Sequence, residues 1–249
     1  DVGAVLTLFH DDCYWRDIVA FTWNVKTLEG KASLEDMLRY SLPHTKPSGW
    51  KVERIENLEV GESRIWFRFG TSAGQGLGIA TLEGDLCRSL LTTLQSLDGH
   101  EEPLGQKRPL GVRHEASRAR KTWSDERAIE LAAFEQGQDP YCLIIGGGQG
   151  GLMLGARLRQ LGVPTIIVEK NERPGDSWRK RYRSLVLHDP VWYDHLPYIP
   201  FPPNWPVFTP KDKMGDWLEM YAKVMELVYW GSTECISASF DEQEKRWTV

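Results

Sequence analysis

The stretch Tyr141-Cys-Leu-Ile-Ile-Gly-Gly-Gly-Gln-Gly-Gly-Leu152 constrains the fold more than any other part of this chain. A short apolar run of the kind that forms a buried strand enters Gly146-x-Gly148-x-x-Gly151, and a segment with helical patterning leaves it. A second apolar run, Thr165-Ile-Ile-Val, ends in Glu169. Strand, glycine turn, helix, strand and acid in that order predict a parallel βαβ unit that holds an ADP-containing cofactor. Gly146 lets the chain turn sharply, Gly148 lets a pyrophosphate approach the backbone, and Gly151 lets the helix pack close to the sheet. The helix is predicted over about 150–161, with Gly162 at C′. Its N-terminus, with Gln149 and Gly150, turns unpaired N–H groups and the positive end of its dipole toward the phosphates. Glu169 is expected to accept hydrogen bonds from ribose hydroxyls and to repel a 2′-phosphate, which disfavours NADP at this site. A redox role is therefore the first reading, and a glycine-rich turn in some other α/β domain is the competing one.

The bulk properties set limits. A chain of 249 residues holds one large domain or two small ones. A net charge of −5 gives no ground for nucleic acid or an anionic membrane as partner. No apolar run has the length of a membrane span, and no secretory leader pattern is present, although the chain opens on Asp1. Cys13, Cys87, Cys142 and Cys235 are widely separated, with no C-x-x-C pair to suggest metal or dithiol chemistry, so no metal site is expected. Cys142 reads as a small core residue, and reduced thiols suit a cytoplasmic setting. The eleven tryptophans read as core and interface anchors.

Three segments are expected. In residues 1–98, Val2 to Phe9 reads as the end of a helix, and Ser33 to Leu42 as a short helix capped by Ser33 with Leu34, Met37, Leu38 and Leu42 inward. Strand-like runs follow at Trp50 to Ile55, Arg64 to Phe69, Leu77 to Leu82 and Leu86 to Leu97, an α+β pattern of helices before antiparallel strands. Residues 99–140 read as a linker with a helix from Ser124 to Phe134, Ser124 capping and Ile129, Ala132 and Ala133 inward. Residues 141–249 carry the glycine turn, a Pro- and aromatic-rich stretch, and a helix capped by Thr209 with Pro210 at N1 and Asp212 at N3. Met214, Trp217, Leu218, Tyr221, Met225 and Val228 form its apolar stripe. A hairpin with its turn at Asp241 to Lys245 is expected at the end.

The string Lys170-Asn-Glu-Arg-Pro-Gly-Asp-Ser-Trp178, with Arg181-Tyr-Arg-Ser-Leu-Val-Leu-His-Asp-Pro190 and His195-Leu-Pro-Tyr-Ile-Pro-Phe-Pro202, closely resembles the flavin-containing monooxygenases, including their YUCCA-like members. The resemblance implies that the glycine turn, Glu169 and Lys170 bind the ADP half of FAD. It implies that the segment Gly175, Asp176, Ser177, Trp178 packs by the cofactor, with Asp176 replacing the second glycine of the family's Gly-Gly-x-Trp motif. Leu187, His188 and Asp189 match a loop near the flavin ring, where some members place Asn at the position of Asp189. Residues 1–98 resemble an NTF2-like or SnoaL-like cone on the strength of Phe9-His-Asp-Asp-Cys-Tyr-Trp-Arg-Asp17 and Phe21-Thr-Trp23. Such a cone implies a packing module or a homodimer contact. The fold expected is an α+β NTF2-like cone followed by an incomplete α/β Rossmann-type FAD-binding domain.

The family's second glycine fingerprint, for NADPH, and its Phe-x-Gly-x-x-x-His motif do not occur here, so the chain is expected to be a fragment. The implied chemistry is reduction of FAD by NADPH, capture of O2 as a C4a-hydroperoxyflavin, and transfer of one oxygen atom to a small organic substrate. No catalytic side chain is assigned. The alternatives are a non-catalytic FAD-binding or interaction module, or another FAD-dependent oxidoreductase. A disulfide reductase would want Cys-x-x-x-x-Cys after the second strand, and none is present. His188 reads equally as a flavin neighbour or a backbone-satisfied loop residue. His10, Asp11 and Asp12 read as polar groups at a cone mouth or, the favoured reading, as a helix-to-strand turn. Arg16-Asp17 reads as a surface ion pair or a pair inside the cone. Arg179-Lys-Arg-Tyr-Arg183 reads as a site that attracts pyrophosphate or NADPH phosphates or, more commonly, as a solvated basic loop.

Overall fold

Six strands joined in one sheet build the first unit. The computed structural model describes residues 1–58, 61–111 and 119–249. The chain divides into Asp1–Glu101 and Glu102–Val249. In the first unit, α1 (Val2–Leu6) precedes β1 (Phe9–Ile18), β2 (Val25–Glu29), α2 (Gly30–Thr45), β3 (Ser48–Asn57), β4 (Glu62–Gly70), β5 (Gly74–Glu83) and β6 (Leu86–Leu97). The sheet order is β2-β1-β6-β5-β4-β3. Helix α2 lays Leu34, Met37 and Leu38 into a core with Phe9, Trp15, Phe21 and Phe69. The Trp15 and Phe21 rings meet edge-on at 5.1 Å, an arrangement that suits their quadrupoles.

Several expectations need correcting in this unit. The first helix stops at Leu6, and Phe9 opens β1, so His10, Asp11 and Asp12 lie within a strand. A bulge between Phe9 and Tyr14 breaks the alternation there. Helix α2 starts at Gly30, placing Ser33 inside it, and no side chain caps it. The sheet is not wholly antiparallel, because β1 and β6 run parallel.

The second unit has helices on both faces of a small parallel sheet. It contains α3 (Trp123–Glu135), β7 (Cys142–Ile145), α4 (Gln149–Gln160), β8 (Thr165–Val168), α5 (Asp176–Arg179), α6 (Lys211–Val224), β9 (Tyr229–Trp230) and the hairpin β10 (Ser239–Asp241) and β11 (Arg246–Thr248). Strands β7, β8 and β9 are parallel neighbours in that order. On one face, Leu152 and Ala156 of α4 and Met214, Leu218 and Tyr221 of α6 share a core with Ile144 and Ile167. On the other, Phe134 of α3 packs with Ile166, Val168 and Val228.

The helix placed by sequence in a linker is thus a layer of the second unit. It is capped by Thr122 in a capping box with Asp125, not by Ser124. Ile129 faces outward, and Leu131 and Phe134 take the inward positions. Pro210 is the N-cap of α6, while Thr209 is buried and caps nothing. Among the described residues, no helix is long and apolar enough to cross a membrane.

Candidate functional site

The glycine turn sits at the C-terminal ends of β7 and β8, where open parallel sheets place their ligands. Gly146 has φ +105°, a conformation that side chains rarely tolerate, and its N–H bonds the Val168 carbonyl at 2.8 Å. Gly148 caps α4 in extended conformation, φ −71° and ψ −177°. A Cβ added at Gly148 or at Gly150 would meet no protein atom within 4 Å. A Cβ at Gly151 would lie 3.3 Å from Ile144 Cγ2 and far closer to the Gly146 carbonyl oxygen. The last glycine therefore serves helix packing, whereas Gly148 and Gly150 leave open backbone at the N-terminus of α4. The first N–H groups there have no partner within the helix.

Glu169 is 9% exposed and faces this turn. One carboxylate oxygen accepts the Gly147 N–H at 2.7 Å; the other accepts the Asn171 N–H at 2.9 Å and the Asn171 side-chain amide at 2.7 Å. Burial works against its charge, but these donors prevail and hold it below the usual carboxylate range. Lys170 is exposed beside it.

Gly175, at φ +86°, starts α5 against α6, where a Cβ would lie 2.7 Å from Gly215 Cα. The Trp178 indole N–H donates to Gln149 Oε1 at 3.0 Å, which joins α5 to the first residue of α4. Asp176 accepts the Arg173 N–H at 3.2 Å and the Arg179 guanidinium at 3.0 Å. Burial opposes its charge, yet Arg179 and Arg173 hold it below the usual range. Ser177 is exposed.

The structure thus brings Gly146, Gly148, Gln149, Gly150, Gly151, Glu169 and Trp178 together. It does not tie His188 or Asp189 to them. Leu187 is buried and bonds the Thr209 carbonyl through its N–H, but His188 and Asp189 are exposed, and His188 meets only the Tyr182 hydroxyl at 3.4 Å among the described residues. The basic run is split: Arg179 is engaged by Asp176, Asp216 and Glu219, whereas Arg181 and Arg183 are exposed. Arg16 and Asp17 do not pair. Asp17 is fully buried and accepts from the Phe21 and Thr22 N–H groups and the Thr22 and Thr92 hydroxyls, while Arg16 bonds Thr27. No cluster of His, Cys, Asp and Glu suited to a metal occurs among the described residues.

Sequence reasoning missed Tyr229. Its hydroxyl is buried with no hydrogen-bond partner, and a Cβ at Gly147 would approach that oxygen to 2.6 Å. Burial, then the Glu169 and Asp176 charges, push its ionisation upward, so it stays a neutral phenol under the turn. The two-residue strand β9 is too short to register as a sequence pattern. Two hollows of about 540 and 630 Å³, beside Arg159 and between β2 and α2, include no residue of the glycine turn.

Residues 140–189 match the FAD binding domain family model. An uncharacterized CzcO-like oxidoreductase of Geobacillus kaustophilus (strain HTA426) is 40% identical over 101 residues, 41% of this chain and 29% of that protein. The probable indole-3-pyruvate monooxygenase YUCCA9 of Arabidopsis thaliana is 36% identical over 108 residues, 43% of this chain and 26% of its own. The solved flavin-containing monooxygenase from Stenotrophomonas maltophilia is 26% identical over 43% of this chain and 34% of its own, with a TM-score of 0.38. The chain spans less than a third of the length of these two curated relatives.

Proposed function

We propose that this chain, a relative of the flavin-containing monooxygenases, binds the ADP half of FAD on its second unit and serves an NADPH-dependent monooxygenase. The observation that carries the reading is the open backbone at Gly148 and Gly150, aimed by α4 and flanked by an ionised Glu169. Bound there, FAD would supply the redox chemistry that side chains lack: it takes electrons from NADPH and activates O2 for transfer of one oxygen atom to a small organic substrate.

The chain's own residues bind and orient. The N-terminus of α4 offers N–H groups and a dipole to the pyrophosphate. The Glu169 oxygens keep lone pairs for ribose hydroxyls beyond those used by Gly147 and Asn171. Trp178 walls the phosphate side beside Gln149, and Gly175 and Ser177 are given that side on the resemblance alone. Leu187, His188 and Asp189 are given the flavin-ring side on the resemblance alone, and no residue of this chain is given to NADPH.

The first unit we read as NTF2-like or SnoaL-like. Trp66, Ile79 and Leu91 stand in register across β4, β5 and β6 on the face away from the core, which supports a homodimer through this sheet. Sedimentation should then show a dimer that Ile79→Glu dissociates; a monomeric wild type removes that part. A cytoplasmic location is supported by four unpaired cysteines, two of them buried. The monooxygenase reading is tested by NADPH oxidation and O2 uptake in the FAD-loaded protein of full native length. Loss of both, with flavin bound, would leave FAD binding without this activity.

A further inference from the structure

We propose that Arg179 is a positioning residue for the dinucleotide site: it clasps α5 to α6 so that Trp178 braces Gln149 at the start of α4. The proposal rests on the FAD reading above for its consequence, but its geometry stands apart from it. Arg179 is a largely buried guanidinium that donates to four acceptors: the Pro174 carbonyl at 2.9 Å, Asp176 at 3.0 Å, Asp216 at 2.9 Å and Glu219 at 2.8 Å. Two of these belong to α5 and its approach, and two to α6. A planar fork suits this arrangement, and a lysine would satisfy only part of it.

Three further features fix the same joint. The Lys211 ammonium, also largely buried, donates to the Arg179 carbonyl at 2.8 Å, tying the end of α5 to the start of α6. Gly175 and Gly215 lie face to face, and a Cβ on Gly215 would come within 2.7 Å of Arg179 Cγ. Arg173 reaches both Asp176 and Glu219 at 3.8 Å. The result is a four-residue helix held at its N-cap, its side chains and its last carbonyl. Trp178 is its third residue, and the indole N–H makes the one hydrogen bond from α5 to the glycine turn among the described residues.

This arrangement gives Asp176 a reason to stand where the related motif has glycine. Its carboxylate is the near anchor of the clasp, engaged by the Arg173 N–H and the Arg179 guanidinium. Among the described residues Arg179 makes no hydrogen bond or ion pair with the glycine turn, so its influence on a bound dinucleotide passes through Trp178 and Gln149. Preorganisation of that turn lowers the ordering cost of binding.

The test is a double-mutant cycle on FAD affinity in the 249-residue chain, joined to hydrogen exchange without FAD. Arg179→Gln is expected to weaken FAD binding about tenfold, the worth of roughly one hydrogen bond. Trp178→Phe, which removes the indole N–H, should weaken it similarly. The double variant should bind no worse than the weaker single one, because both act through one contact. Arg179→Lys should fall between wild type and Arg179→Gln. Without FAD, Arg179→Gln should speed amide exchange in residues 148–152. Additive losses in the double variant, or faster exchange at 175–180 with 148–152 unchanged, would overturn the proposal and leave Arg179 a purely structural residue. Should wild type bind no FAD, the FAD reading fails while the exchange data still decide the clasp. If Arg179→Gln does not fold, Arg179→Lys carries the same cycle and exchange comparison.

Discussion

Replacing Gly148 and Gly151 separately by alanine should divide the glycine turn into a binding half and a folding half. Gly148 has an extended conformation that any residue adopts, and an added Cβ meets nothing within 4 Å. Alanine there gains about 0.4–1 kcal/mol by reducing unfolded-state freedom. It loses a comparable amount, about 0.5–1 kcal/mol, as a poorer N-cap than glycine. The two nearly cancel, so the Tm of Gly148→Ala without cofactor should stay within about 2 °C of wild type. Its methyl group stands where a pyrophosphate would meet the backbone. Loss of one charged hydrogen bond, about 1.5–3 kcal/mol, should weaken FAD binding about 10- to 150-fold. Gly151→Ala instead drives a Cβ onto the Gly146 carbonyl oxygen, and the helix must shift. Overpacking of this kind costs about 1–3 kcal/mol, a Tm loss of roughly 2–12 °C for a unit of this size. Thermal melts and flavin-fluorescence titrations of both variants read the two effects. A Gly148→Ala variant that binds FAD as wild type does, or that loses stability like Gly151→Ala, would refute the assignment.

Other residues give predictions of the same kind. The folded-state ionisation of Glu169 is depressed, so the stability it contributes is complete above the unfolded carboxylate value of about 4.3 and is lost as pH falls through the lower folded value. Between about pH 5 and 3, the Tm of wild type should therefore fall more steeply than that of Glu169→Gln, and parallel profiles would contradict this. Asp17→Ala strips a buried carboxylate from four donors and should cost at least about 3 kcal/mol by denaturant melting; a cost below about 1 kcal/mol would mean those donors find other partners. Phe134→Ala should destabilise the second unit by about 3–5 kcal/mol, since its ring fills the contact of α3 with Ile166, Val168 and Val228. A small change would detach α3 from that core.

The legible parts of the fold are those with local signals. The order β7, glycine turn, α4, β8, Glu169 can be read residue by residue because each role is set by a neighbour close in sequence. The bounds of β6 coincide with the strand-like run Leu86 to Leu97 for the same reason. Strand β1 is obscured because its inward positions include Cys13 and Asp17 and a bulge breaks its alternation. Asp17 is inward because four donors from the β1–β2 turn and β6 satisfy it, a long-range fact that no local pattern reveals. The site shows the same limit. Its glycines and its acid are visible in the sequence, but the Trp178–Gln149 bond, the Arg179 clasp and the Tyr229 ring beneath Gly147 join positions that only the packing of α5, α6 and β9 brings together.

The central claim is that the second unit forms an FAD site around the open backbone at Gly148. The most direct measurement is the absorption spectrum of the purified chain after incubation with FAD and gel filtration. The account predicts flavin absorbance near about 450 nm eluting with the protein, and its loss in Gly148→Ala. A folded chain that elutes without flavin, or a Gly148→Ala variant that retains it as wild type does, would contradict the claim.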